Sequence, residues 1–164
     1  MTRDAAPASR VLSLADGAAR AWSLRASGRR VVFTNGVFDI LHPGHIRYLQ
    51  QARGLGDALI VGLNGDASVR RNKGPDRPVN DQRERAEILA ALECVDAVVV
   101  FDEDTPAEII TAIQPDVLVK GADWAEDAIV GRDTVEARGG TVVRVPVEQG
   151  FSTSSIIEKI KRLP

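Results

Sequence analysis

The sequence predicts an α/β domain in which a parallel sheet of about five strands carries helices on both faces. Three observations support this prediction. Short apolar runs rich in β-branched residues recur along the chain, segments with helical periodicity lie between them, and the connections are short. Strands that alternate with helices in this way pair in parallel through right-handed crossovers. The expected architecture is therefore a Rossmann-like three-layer sandwich.

The predicted strands are apolar runs in which polar residues hardly alternate, which indicates burial on both faces of the sheet. They are residues 30–34, 58–63, 97–101, 116–120 and 141–145. Because only 4% of the residues are aromatic, we expect an aliphatic core.

The predicted helices lie before, between and after these strands. They cover residues 11–27, 44–55, 81–94, 105–114, 129–138 and 152–163. In the fourth of them, Thr105 and Glu108 predict a capping box, and Pro106 suits the first helical position.

Composition and charge exclude several classes of protein. The chain has 164 residues and a formal net charge of −2, which disfavours a nucleic-acid binder. Cys94 is the only cysteine, so a disulfide framework and a cysteine zinc cluster are excluded, and we expect a buried structural thiol. Since the sequence has neither an apolar run of membrane-spanning length nor a signal-peptide core, a cytoplasmic protein without membrane contact is expected.

The length predicts one main domain with a short extension. Residues 1–10 contain alanine and proline and are predicted to be a loose arm. The chain is therefore divided into an N-terminal arm and helix, residues 1–28, and the main domain, residues 29–164.

The most informative segment follows the first predicted strand, where sheets of this kind bind ligands. Gly36 lets the backbone approach a ligand, and the only two histidines, His42 and His45, stand where the next helix begins. Imidazole N–H groups beside a helix N-terminus form a compact phosphate site and can follow negative charge that builds on a phosphoryl group. A zinc site is disfavoured, because no other histidine exists and Pro43-Gly44 prevents a same-face helical pair.

Three other segments offer groups for anions. Residues 64–83 carry several arginines and one lysine, as a nucleoside triphosphate requires, although Arg70 and Arg71 are predicted to be solvated. Lys120 ends a buried strand, where a lysine is costly unless it is paired or faces a cleft. The hydroxyl run 152–155 predicts a helix N-terminus that binds a second anion.

The segment from Asn35 to His45 resembles the HxGH signature of the nucleotidyltransferase superfamily, which includes cytidylyltransferases, pantetheine-phosphate adenylyltransferase and class I tRNA synthetases. From about Val11 onward, nearly the whole chain resembles bacterial D-glycero-β-D-manno-heptose 1-phosphate adenylyltransferases in their stand-alone form, without a sugar kinase domain in front. The segments that carry this narrower resemblance are residues 33–36, 74–80, 119–124, 130–133 and 150–154.

The resemblance implies an enzyme that joins the AMP moiety of ATP to heptose 1-phosphate, giving ADP-heptose and pyrophosphate for lipopolysaccharide or another glycan. Residues 29–164 would then be the nucleotidyltransferase domain. Mg²⁺ is expected to be held mainly by the substrate phosphates, with no dedicated protein site. The implied partners are these small molecules, and the implied assembly is a homodimer or a higher homo-oligomer.

The resemblance also implies a set of site residues. The implied catalytic residues are His42, His45, Lys73 and Arg83. The implied nucleotide-binding residues are Thr34, Asn35, Gly36, Phe38, His42, Gly44, His45, Asn64, Ser152, Thr153 and Ser154. The implied sugar-phosphate-binding residues are Asn35, Asp39, Lys120, Gly121, Asp123 and Trp124.

Some roles remain open at this point. Arg77 either approaches the phosphates or shapes its loop, Asp39 either orients the loop or contacts the metal through water, and Trp124 either covers the site or simply packs. A glycerol-3-phosphate cytidylyltransferase is a competing enzyme, but that branch has an arginine where Val147 follows Pro146. A non-catalytic nucleotide sensor on the same fold is the other alternative. We would expect such a sensor to lose a histidine or the cationic set, and neither is lost.

Overall fold

The chain folds around a parallel sheet of six strands within residues 6–164, the residues that this computed structural model describes. The strands are β1 (Val11–Leu12), β2 (Val31–Gly36), β3 (Ala58–Asn64), β4 (Ala97–Phe101), β5 (Val117–Gly121) and β6 (Thr141–Val145). Their spatial order is β1–β4–β3–β2–β5–β6, and every neighbouring pair is parallel. The predicted α/β fold is confirmed.

Helices cover both faces of the sheet, as the three-layer prediction requires. The α-helices are α1 (Leu14–Ala26), α2 (Pro43–Arg53), α3 (Asp66–Lys73), α4 (Gln82–Ala91), α5 (Ala107–Ile113), α6 (Arg132–Glu136) and α7 (Thr153–Lys161). Short 3-10 helices cover Pro7–Arg10 and Glu126–Ala128. Leu49 of α2 and Leu89 of α4 belong to the core on one face, and Ala21 of α1, Ile110 of α5 and Val135 of α6 belong to the core on the other.

The start of the first predicted helix is wrong by three residues. Ser13 accepts a hydrogen bond from the backbone N–H of Asp16 and caps α1, so the helix cannot extend back to Val11. Val11 and Leu12 instead pair with β4 and form the sixth strand. The predicted boundary at residue 28 stays a prediction, although β1 and α1 join the same sheet and core. The part of the predicted arm before residue 6 lies outside the described residues.

Other differences concern edges and caps. β6 is an edge strand and is only partly buried, whereas burial on both faces was expected. The predicted capping box at Thr105 is wrong, because α5 begins one residue later, with Pro106 in the N-cap position and no side-chain cap. Residues 66–73 form α3, which was not predicted because only Ser68 and Val69 on it are buried.

The chain topology places a crevice at the carboxyl edge of β2. The connections from β2 lead to β3 on one side, and β5 lies on its other side. Such a change of direction opens a crevice beyond the strand ends, where α/β proteins bind ligands. Asn35 and Gly36 end β2, Asn64 ends β3, and Lys120 and Gly121 end β5, so these predicted site residues meet at one edge.

Candidate active site

A cavity of about 730 Å³ lies at this edge of the sheet. Its wall contains all of the predicted site residues except two, Thr34 and Arg83. Its size is typical of a small-molecule site. The sequence therefore predicted both the place and most of the lining.

The two histidines stack on each other at the start of α2. Their ring centroids are 3.7 Å apart and the rings are nearly parallel, with an interplanar angle of 18°. The backbone N–H of His45 donates to Nδ1 of His42 over 3.4 Å, so a neutral His42 carries its proton on Nε2. His42 thus caps the helix with one nitrogen and offers an N–H donor with the other.

Both imidazoles are neutral at neutral pH. Burial lowers the pKa of His42, and burial together with the neighbouring His42 lowers the pKa of His45 to about 4. Nδ1 of His45 is buried and has no hydrogen-bond partner among the described residues. The pair therefore presents N–H donors rather than two full positive charges to whatever enters the cavity.

The backbone near the histidines passes close to two aromatic rings, those of Phe38 and His42. Phe38 has a φ of 44°, in the left-handed region, and its ring meets His45 edge-on at 5.3 Å. A Cβ atom on Gly36 would lie 2.9 Å from the Phe38 ring, and one on Gly44 would lie 3.0 Å from His42. Only glycine fits at these two positions without displacing the rings, so Gly36 is needed for packing against Phe38 as well as for the predicted approach to a ligand.

Asp39 anchors the loop at 74–81 rather than facing a ligand freely. Its carboxylate is almost fully buried and accepts hydrogen bonds from the backbone N–H groups of Val79 and Asn80 and from Nε of Arg77 at 2.7 Å. Burial alone would raise the pKa of Asp39, but these donors outweigh it and lower the pKa. Of the two roles left open for Asp39 and for Arg77, the geometry supports loop shaping.

Arg85 is the main residue that the sequence analysis missed. Its side chain is fully buried and donates to the carbonyl groups of Val37, Asn64 and Asn80, and it forms an ion pair with Asp66 at 2.7 Å. It thus ties the segments after β2 and β3 to the loop before α4. The available signal was its position four residues before Leu89, on the buried face of α4.

Two of the implied site residues do not line the cavity. Arg83 is exposed and does not line the cavity, because the α4 face that points inward carries Arg85 instead. Thr34 is fully buried, and its hydroxyl group bonds to Tyr48 and Val119 inside the protein. Tyr48, which was not predicted, lines the cavity.

Lys120 brings a cation into one end of the cavity. Its residue is only 7% exposed, and Nζ bonds to Oδ1 of Asn35 and lies 5.8 Å from the centroid of the Trp124 ring. Within residues 6–164, Lys120 has no carboxylate partner among the ion pairs, so burial lowers the pKa of its ammonium group to about 8. A buried ammonium group without a counter-ion favours the binding of an anion, as was predicted for Lys120. Trp124 is half exposed and lines the wall beside it.

The N-terminus of α7 closes the opposite side, next to the histidines. Ser152 caps the helix by accepting from the N–H of Ser155, and the Thr153 hydroxyl donates to the carbonyl of Ile40. Phe151 lies parallel to the ring of His42 at 6.1 Å. Ser152, Thr153 and Ser154 line the cavity, so the N-terminus of α7 lies in its wall near His42, and its anion-binding role stays a prediction.

Other groups lie outside this arrangement. Cys94 is not in the cavity wall, and burial raises the pKa of its thiol, which fits the structural role predicted for it. Among the helices of residues 6–164, the structure has none with the length and apolar character needed to cross a membrane.

Comparison with known proteins identifies the family. The model of the cytidylyltransferase-like family matches residues 33–159. Over 136 residues, 83% of this chain, the protein is 59% identical to "Bifunctional protein HldE" of Trichlorobacter lovleyi, and over 133 residues it is 62% identical to the protein of the same name from Citrifermentans bemidjiense. The matches cover 28% and 27% of those longer relatives.

Solved structures agree with this assignment. A lipopolysaccharide core biosynthesis protein from Thermoplasma volcanium is 33% identical, with a TM-score of 0.61, over 74% of this chain and 98% of that one. A protein of unknown function from Archaeoglobus fulgidus, at 21% identity and a TM-score of 0.57 over 75% of this chain and 93% of that one, shares the fold. The family model covers most of the chain, and the HxGH histidines lie at the N-terminus of α2. The chain therefore belongs to the cytidylyltransferase-like family.

Proposed function

We propose that the protein transfers the AMP moiety of ATP to D-glycero-β-D-manno-heptose 1-phosphate, giving ADP-heptose and pyrophosphate for lipopolysaccharide or another heptose-containing glycan. One observation carries the proposal: a single cavity joins a neutral histidine pair between two helix N-termini to a buried lysine that lacks a counter-ion. The first group suits a triphosphate, and the second suits the phosphate of an acceptor.

The reaction needs no protein nucleophile. An oxygen of the sugar 1-phosphate attacks the α-phosphorus of ATP, the bond from that phosphorus to the bridging oxygen breaks, and pyrophosphate leaves with the electron pair. The N–H groups of His42 and His45 donate to the phosphates as negative charge moves toward the leaving group. Catalysis then consists of positioning and charge stabilisation.

The residues around the histidines suit a metal that is bound by the substrate phosphates rather than by the protein. They offer N–H groups and cations, and the nearby carboxylate of Asp39 already accepts from Arg77, Val79 and Asn80. Mg²⁺, when bound, would neutralise charge on the phosphates, which would hold it together with water. Lys73, which lines the cavity, would add a positive charge on the triphosphate side.

The direct test is turnover with a matrix of nucleoside triphosphates and sugar 1-phosphates, followed by pyrophosphate release. We expect the highest kcat/KM with ATP and the heptose 1-phosphate. Glycerol 3-phosphate with CTP should give little product, and preferred use of that pair would establish the cytidylyltransferase alternative instead. ATP binding without pyrophosphate release from any acceptor would establish a nucleotide sensor.

Lys120→Ala should raise KM for the sugar phosphate at least about tenfold while KM for ATP changes little, because a charge-assisted bond to the acceptor phosphate is lost. Initial rates at varied concentrations of each substrate measure both constants. Lys73→Ala is the matched control, since it removes a cation from the nucleotide side and should raise KM for ATP. An effect of Lys120→Ala confined to ATP would contradict the assignment of the two ends.

The pH dependence of the acceptor KM tests the same residue. Lys120 is charged below its pKa of about 8 and neutral above it, so KM for the sugar phosphate should rise as the pH increases through about 8. The rise should be absent from Lys120→Ala, and an identical pH profile in the variant would contradict the role of this ammonium group.

A further inference from the structure

Tyr48 lies in a hydrogen-bond chain whose direction is fixed by the backbone. Its hydroxyl oxygen is 2.8 Å from Oγ1 of Thr34, and the same Oγ1 donates to the carbonyl oxygen of Val119 at 3.0 Å. A carbonyl oxygen can only accept, and a threonine hydroxyl has one proton to give. The Thr34 proton is therefore committed to Val119, so Tyr48 must be the donor to Thr34.

This direction leaves Tyr48 with only lone pairs for the cavity. Burial, which is the largest cause, raises the pKa of Tyr48 to about 12, with support from the charge of Asp123, so the phenol keeps its proton at neutral pH. That proton points into the protein toward a fully buried partner. Seen from the cavity, the phenol oxygen is an acceptor and not a donor.

Hydrogen-bond acceptors and a donor occupy different positions in the cavity wall around Tyr48. Asp123 also lines the cavity, and its charge contributes to the raised pKa of Tyr48. Its carboxylate is an acceptor too, whereas Lys120 on strand β5 is a donor with a positive charge. A phosphate oxygen would meet lone pairs at Tyr48 and Asp123 and would be repelled there. A hydroxyl group, which brings its own proton, would be satisfied there.

We infer that Tyr48 is a specificity-determining residue whose phenol oxygen accepts a hydrogen bond from a hydroxyl group of the acceptor sugar. Together with Asp123 it orients the acceptor with its hydroxyl groups toward Tyr48 and Asp123 and its phosphate toward Lys120 and the histidines. The inference rests on the proposed sugar-phosphate transfer. It adds that the site recognises a hydroxyl group of the acceptor, and that the protein accepts the hydrogen bond from that group.

The test combines Tyr48→Phe with monodeoxy analogues of the sugar 1-phosphate that the wild-type protein uses best. Tyr48→Phe should raise KM for the parent sugar roughly three- to tenfold, as expected for one lost hydrogen bond, and should leave KM for ATP within about twofold. One deoxy analogue should be weakened by a similar factor with the wild-type protein but not with Tyr48→Phe. Such non-additivity identifies a direct contact.

A second measurement needs no variant and covers the case in which Tyr48→Phe does not fold. At the same sugar position, a fluoro analogue can still accept a hydrogen bond but has no proton to give, so it should be as weak as the deoxy analogue with the wild-type protein. Binding of the fluoro analogue as tight as that of the parent would show that Tyr48 donates, and would overturn the inference.

The outcomes separate this inference from the proposed function. Two results would overturn the role of Tyr48 and leave the transferase assignment standing. One is turnover of the parent sugar with the same increase in KM for every analogue in both proteins, and the other is an effect of Tyr48→Phe on KM for ATP alone. Absence of turnover with any sugar phosphate overturns both.

Discussion

His45→Ala is expected to lower kcat for pyrophosphate release at least about 100-fold, the loss typical of removing one preorganised donor to a developing negative charge. The side chain of His45 stacks on His42 at 3.7 Å at the N-terminus of α2, so the substitution removes one of the two imidazole donors at that point. Single-turnover rates with saturating substrates measure the chemical step.

The fold should tolerate this substitution. Nδ1 of His45 has no hydrogen-bond partner in the part of the chain that the structure describes, and the bond to His42 is made by the backbone N–H, which remains in the variant. We therefore expect little change in the melting temperature. His45→Gln, which restores a side-chain N–H donor, should recover part of the rate. A near-normal kcat in His45→Ala would contradict the proposed role of the pair.

The residues at the strand ends could be predicted because hydrophobic pattern alone places them. Five strands were located within two residues at either end, and in a parallel sheet all carboxyl ends meet at one edge. Asn35, Lys120 and the hydroxyl run before α7 therefore came together as expected. The same pattern could not show β1, because two residues of strand are too short to carry a periodicity.

Thr34 is a residue whose orientation the alternation of side chains along a strand does predict. Successive side chains of a strand point to opposite faces, so Thr34 and Asn35 cannot both face one ligand. In the structure Asn35 lines the cavity and Thr34 turns to Tyr48 and Val119. The resemblance to a motif carried both residues over together, whereas the geometry of β2 separates them.

Helical periodicity could place Arg85 on the buried face of α4, but the sequence could not show its hydrogen-bond partners. A buried arginine needs several acceptors, and here they come from segments after β2, after β3 and before α4 that are far apart in the chain. No local pattern reveals such a set. The exposed Arg83 lies two residues earlier on the same helix, away from the face that carries Leu89, so helical periodicity separates the two arginines even though it does not reveal the acceptors of Arg85.

Arg85→Met should lower the free energy of unfolding by about 3 kcal/mol, because removal of one partner leaves buried acceptors and a carboxylate without their donor. We place the loss at the lower end of the range for buried ion pairs because Asp66 is 20% exposed and water can solvate it. For a protein of this length, that loss corresponds to a fall in melting temperature of roughly 6 to 12 °C. Urea unfolding at constant m-value measures the free energy.

Arg83→Met is the matched control, since it makes the same replacement on the same helix at an exposed position. It should change the free energy of unfolding by no more than about 0.5 kcal/mol. Arg85→Lys keeps the positive charge but cannot reach three carbonyl groups and Asp66 at once, so its stability should fall between that of the wild-type protein and that of Arg85→Met. Equal stability of Arg83→Met and Arg85→Met would mean that the buried hydrogen-bond network does not hold the loop to the strand ends. The difference in the free energy of unfolding between Arg85→Met and Arg83→Met thus tests the placement of α4. The shape of the nucleotide side of the cavity depends on that placement.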